Sequence, residues 1–186
     1  MKQESIETFA RNGYKVTIEQ DFDAERPFEG DDECFIVTTR NRYFEVEGPN
    51  GEYASDIGEN LSEWEEEYDV FPLQALIHGG VSLSLSSLDH YYMGFDSGQI
   101  GFVVVKRDET PDTRKYAEGM VETWNQYLSG DVYGFIIEDG EGTDVDSCWG
   151  FYGLETVKRE AIDNVPENPP LVPYKEEEEE EDEEED

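Results

Sequence analysis

Four acids fall within eight residues at Asp139, Glu141, Asp144 and Asp146. Carboxylates at that density can hold Ca²⁺ or Mg²⁺ through oxygen. The twelve-residue calcium loop is the pattern to test. It wants glycine at its sixth position and glutamate at its twelfth. Asp144 and Gly150 stand there instead. The residues are therefore metal candidates without a metal motif, and a solvated hairpin loop explains them as well. A second grouping is Cys148 with Asp146 and either His78 or His90. Nucleophilic catalysis needs a thiolate and a nearby base. The types are present, but Cys148 lies between Ser147 and Trp149 in an apolar stretch, where cysteine is expected to pack as a small hydrophobe. The surrounding acids would also raise a thiol pKa. A third grouping, Asp89 and His90 with Asp96 and Ser97, has acid–base types. Asp96-Ser97-Gly98 also has the side-chain chemistry of a tight turn. None of the three defines a reaction, no catalytic residue is assigned, and no cofactor is expected.

The acidity itself is the strongest signal. Asp and Glu number 48 against 13 Lys and Arg, a formal net charge of −35. Removing the eleven acids at 176–186 from −35 leaves −24 on the other 175 residues. The tail therefore does not explain the imbalance. Such a charge repels phosphate backbones and anionic lipids and attracts basic partners. Direct nucleic-acid binding and membrane association are excluded as expectations. The aromatics Tyr91, Tyr92, Phe95, Trp149, Phe151 and Tyr152 could stack bases on a sheet, but that use needs a basic surround. Core packing accounts for them. Carboxylates concentrate at Glu63, Glu65, Glu66 and Glu67 and again at Asp139, Glu141, Asp144 and Asp146. These eight are the candidate partner-binding residues. B-DNA carries one negative charge per ~1.7 Å of axis, so a folded surface studded with carboxylates can offer a comparable field to a DNA-binding protein. Three other readings compete: adaptation to high salt, which the six lysines fit; acidity that serves solubility alone; and a metal-dependent or Cys/His enzyme.

These residues need a scaffold. With 186 residues the chain can bury a core without disulfides, and its 10 Phe, 11 Tyr and 3 Trp are not the composition of a disordered chain. The two cysteines, Cys34 and Cys148, make no disulfide framework. No apolar run nears the ~20 residues that span a bilayer, and Met1–Gly13 lacks a secretory pattern. A cytoplasmic location follows as the expectation, inside the host cell if the chain is phage-encoded.

Periodicity predicts the elements. Ile6 and Phe9 suggest a short helix over 5–12, stopped by Gly13. Tyr14, Val16 and Ile18 alternate as a half-buried strand. Strands are expected at 34–39 and 43–46, joined as a hairpin, and a helix over 60–68 with Asn60 as its cap. Strands at 71–77 and 81–86 flank a Gly79-Gly80 turn, with Pro72 tolerated at a start or an edge. A strand is expected at 99–107. The clearest helix runs 110–130, with Thr110 as cap, Pro111 in its first turn and Gly130 at its end. Strands at 132–138 and 147–152 bracket an acidic loop at 139–146, and a last helix spans 154–162. The fold class is α+β, with a mainly antiparallel sheet, two to four packing helices and a disordered acidic C-terminal tail. One domain is expected over 1–163, then a Pro-rich linker at 164–175 and a poly-acidic tail at 176–186.

Several segments are familiar together: Phe71-Pro72-Leu73 through His78-Gly79-Gly80-Val81, then Phe95-Asp96-Ser97-Gly98-Gln99-Ile100-Gly101-Phe102, Tyr127-Leu128-Ser129-Gly130-Asp131-Val132-Tyr133-Gly134-Phe135, and Asp146-Ser147-Cys148-Trp149-Gly150-Phe151-Tyr152-Gly153. Over residues 70–153 the chain resembles uncharacterised proteins of phages and mobile elements. Trp often precedes the Asp-Ser-Gly triplet in that group, where this chain has Phe95. The resemblance implies a phage-related context and no active site. Antirestriction proteins of phages act by presenting a DNA-like charge, so the context raises the mimicry reading.

Overall fold

The computed structural model describes residues 5–85, 97–108 and 110–174. In chain order its elements are β1 (Ser5–Arg11), β2 (Tyr14–Gln20), β3 (Cys34–Thr38), α1 (Ala54–Glu59), α2 (Leu61–Trp64), β4 (Tyr68–Ile77), β5 (Val81–Ser84), β6 (Ser97–Lys106), α3 (Thr113–Ser129), β7 (Val132–Glu138), β8 (Asp144–Tyr152) and α4 (Leu154–Asn164). They form an α+β fold with two antiparallel sheets, ordered β1-β2-β7-β8 and β3-β6-β4-β5. The sequence reading drew no boundary inside 1–163. The structure divides into two compact units, Glu25–Asp131 and the segments on either side of it.

The outer segments build unit 1. Its β1 replaces the helix expected at 5–12. The deciding residues are Asn12 and Gly13, whose φ angles of 50° and 83° make the two-residue turn that pairs Arg11 with Tyr14. Asn-Gly is the strongest short hairpin signal, because both positions need positive φ. Tertiary pairing with β2 then overrides the helical spacing of Ile6 and Phe9. Val16, Ile18, Phe135 and Ile137 face α4, where Val157 and Ala161 close the core. The Asp21 N–H donates to the Val132 carbonyl at 2.8 Å, so the β2–β7 pairing continues past the end of β2. The Pro-rich linker expected at 164–175 begins at the last residue of α4, and its described part to 174 is docked. Val165 is buried, the Tyr14 hydroxyl donates to Asn168 O at 3.1 Å, and the Gly140 and Tyr174 N–H groups bond Val172 O (2.8 Å) and Gly13 O (2.7 Å). The tail expected at 176–186 lies outside the described residues.

Unit 2 is a sheet covered on both faces. The run Val103-Val104-Val105 is fully buried, as its unbroken apolar character requires. Val103 and Val105 join Ile36, Leu73 and Leu83 under α3, which contributes Ala117, Met120, Val121 and Trp124. Val104 faces the other way with Phe35, Val37 and Ile57. Helix α3 starts later than expected. Its cap is Asp112, whose carboxylate accepts the Lys115 N–H at 3.0 Å, and Gly130 ends it with φ 74°. Residues 43–46 form no strand. Strand β3 pairs with β6 instead, and only Thr38 keeps a link to Val46, through its N–H (3.0 Å) and hydroxyl (2.9 Å). Helix α1 was not foreseen in the sequence; the Asp56 carboxylate caps it by accepting the Tyr53 N–H at 2.7 Å. Ser97 and Gly98, expected in a turn, belong to β6 opposite Leu76 and Ala75. Pro72 sits in the part of β4 that β5 does not reach, since β5 pairs only with Gln74–Ile77.

Candidate acidic interaction surfaces

The expected helix over 60–68 shrinks to the single turn of α2. Glu63, Glu65, Glu66 and Glu67 would repel one another on a continued helix. The chain turns after Trp64 and enters β4 at Tyr68. Arg107 fixes that turn. Its Nη1 donates to Glu65 O at 2.6 Å, its backbone N–H to Glu67 O at 3.1 Å, and its Nε to Asp69 at 2.7 Å. Trp64 and Tyr68 still pack together, with ring centroids 5.3 Å apart, against Phe35. The apolar side of this segment is thus anchored to the sheet. Its four glutamates are left exposed, and none pairs with a cation among the described residues.

The second acidic segment does not converge either. The Asp139 carboxylate accepts the N–H groups of Glu141 and Thr143, both at 2.9 Å, and shapes the loop. Strand β8 begins at Asp144, so the expected loop of 139–146 is shorter. A bulge sets Asp144 opposite Glu138 and Asp146 opposite Ile137. Glu138 and Ile137 point to opposite faces of the sheet, so Asp144 and Asp146 diverge as well. Among the described residues no three His, Cys, Asp or Glu side chains gather to hold a metal ion. Glu141, Asp144 and Asp146 are exposed, and neither they nor Asp139 meet a cation among the described residues.

The remaining sequence candidates fall in different units or outside the described residues. Cys148 was expected to pack; it stands exposed on β8. It lies opposite the buried Phe135, on an edge strand whose residues 144–150 are all exposed. His78 lies in the β4–β5 turn of unit 2, where its N–H bonds Gly80 O at 3.0 Å. Asp89, His90, Tyr91, Tyr92, Phe95 and Asp96 lie outside the described residues. Of the other aromatics, Phe151 stacks on Phe135 at 5.7 Å, while Trp149 is 40% exposed and lies against Gly134.

Sequence reasoning missed Asp69, a carboxylate held by two side chains. Asp69 accepts the Thr113 hydroxyl at 2.5 Å and Arg107 Nε at 2.7 Å, linking β4 to the start of α3. The hydroxyl, then the guanidinium, hold its pKa below the usual carboxylate value. A depressed folded-state pKa gives stability that is present above the unfolded value of ~3.9 and is lost as pH falls through the folded value. Asp69→Asn is therefore expected to lower the urea midpoint at pH 7 and to lower it progressively less below about pH 4. A midpoint difference that stays constant down to pH 2 would contradict this assignment.

The chain is thus a two-unit antiparallel α+β protein with acidic loops. No protein-family model, curated protein or solved structure matches it. No helix among the described residues is long and apolar enough to cross a membrane.

Proposed function

We propose that the chain is a non-enzymatic acidic decoy, which occupies the basic groove of a DNA-acting protein such as a restriction or defence nuclease. The observation that carries this reading is two segments of carboxylates, most of them exposed, that meet no cation among the described residues and are anchored to folded units. Glu63, Glu65, Glu66 and Glu67 project from a turn fixed by Arg107, and Asp139, Glu141, Asp144 and Asp146 lie at one end of a hairpin. An anchored backbone limits where these charges can sit, which a flexible polyanion does not do. The sequence resemblance to phage proteins supplies the context for a target in host defence.

Electrostatic docking predicts the salt response. Affinity for a basic DNA-binding protein should fall steeply with added salt, as it does for DNA itself. Cys148→Ser and His78→Ala should leave that affinity unchanged, because the reading gives them no role. Deleting 176–186 should slow association more than it speeds dissociation, since a tail of like charge steers more than it docks. Stopped-flow binding at several ionic strengths reads all three. Loss of binding in Cys148→Ser would support an enzyme instead. A melting temperature that climbs steeply toward molar KCl, with no partner bound, would support salt adaptation.

A further inference from the structure

One cleft of unit 2 departs from the acidity of the rest of the chain. It has a volume of about 450 Å³, within the range of small-molecule sites. Arg26 and Arg42 line it above Phe44, Val46, Trp124 and Leu128. On a chain of −35, a cation is expected to find a carboxylate. Lys15, Lys106, Arg107, Arg114, Lys158 and Arg159 all do. Arg26 and Arg42 meet none among the described residues, which is also true of Arg11, Arg40 and Lys115, but only Arg26 and Arg42 line this cleft. Arg42 instead lies 4.5 Å above the Tyr43 ring and donates to the Tyr43 hydroxyl. The acid lining the cleft, Glu45, is engaged by the Tyr53 hydroxyl at 3.1 Å.

The second observation is inside the wall. Trp124 is only 4% exposed, and its Nε1–H has no hydrogen-bond acceptor. The rings of Phe44 and Tyr127 meet the indole edge-on at 5.6 and 5.8 Å. A buried donor without an acceptor is costly, and each such group calls for an explanation. Nε1 itself is shielded by protein atoms, so the indole serves as a reporter of the cleft wall and not as a ligand contact.

We propose that the cleft binds a small monocarboxylate carried on an apolar or aromatic body. The planar guanidinium groups of Arg26 and Arg42 suit a carboxylate, and Phe44, Trp124 and Leu128 suit the body. A single charge is preferred, because the field of a −35 chain opposes each further negative charge on a ligand. Oligophosphates are disfavoured for that reason. The site does not depend on the decoy reading.

Benzoate is the probe. It is titrated into the full chain while the Trp124 indole N–H resonance is followed, assigned by its loss in Trp124→Phe. Benzyl alcohol and inorganic phosphate are run in parallel. The expected result is a saturable shift of that resonance with benzoate. Arg26→Gln and Arg42→Gln should each weaken binding roughly tenfold, and both change exposed residues. No saturation by ~20 mM, which is weaker than any useful site, would overturn the proposal. So would benzyl alcohol or phosphate binding as tightly as benzoate, or an Arg42→Gln protein that binds benzoate like the parent.

Discussion

Gly101→Ala is expected to destabilise unit 2 by ~3 kcal/mol or more, at or beyond the upper end of overpacking costs. Gly101 sits in the central strand β6, opposite Thr38 on β3 and Leu73 on β4. A Cβ there would fall 1.9 Å from the Val37 carbonyl oxygen and 2.9 Å from Thr38 Cα. Both obstacles are backbone, and both residues are fully buried, so no flexible side chain can yield. The two strands would have to part. Gly119 is the control. It is exposed on α3, has no described neighbour within 4 Å of an added Cβ, and has ordinary helical φ. Gly119→Ala should therefore raise stability by about 0.5–1 kcal/mol. Urea melts of the two variants should move in opposite directions. An unshifted Gly101→Ala would mean that the β3–β6 register is not as described.

The other large effect is charge reversal on the two acidic segments. Glu63, Glu65, Glu66 and Glu67 changed together to Lys should cut affinity for a basic partner by ~100-fold or more, since like charges brought together at an interface cost several kcal/mol. The fold should survive. The four side chains are exposed, and Arg107 holds the turn through Glu65 and Glu67 carbonyl oxygens and Asp69, none of which is changed. On the hairpin, Glu141→Lys with Asp144→Lys is the cleaner pair. Asp139 and Asp146 accept backbone N–H groups, so changing them would confound charge with loop structure. Equal loss from reversing any four surface acids would argue that net charge alone matters.

Most strands were legible because burial writes itself into the sequence. Val103-Val104-Val105 and the alternation of Tyr14, Val16 and Ile18 both predict the observed strands. Failures occurred where a local rule met a stronger partner. The spacing of Ile6 and Phe9 reads as helix, yet Asn12-Gly13 closes a hairpin that gives the segment a strand to pair with. The acids at 63–67 fit a helix start by composition, but their mutual repulsion and the reach of Arg107, forty residues away in sequence, end the helix after one turn. The Cys148 expectation failed because its stretch lies on an edge strand, whose residues 144–150 are all exposed. The acidic residues were visible as a count, but their divergence was not. Asp144 and Asp146 separate through a bulge that only the β7 register reveals.

The decoy reading rests on fixed carboxylate geometry, so the direct test sets shape against charge. The full chain is titrated at low salt into a DNA-cleavage assay of a restriction or defence nuclease, beside poly-glutamate at equal carboxylate concentration. The account predicts that the chain inhibits cleavage at far lower concentration than poly-glutamate and that the Glu63, Glu65, Glu66 and Glu67 reversal removes the advantage. Inhibition no stronger than that of poly-glutamate would contradict it.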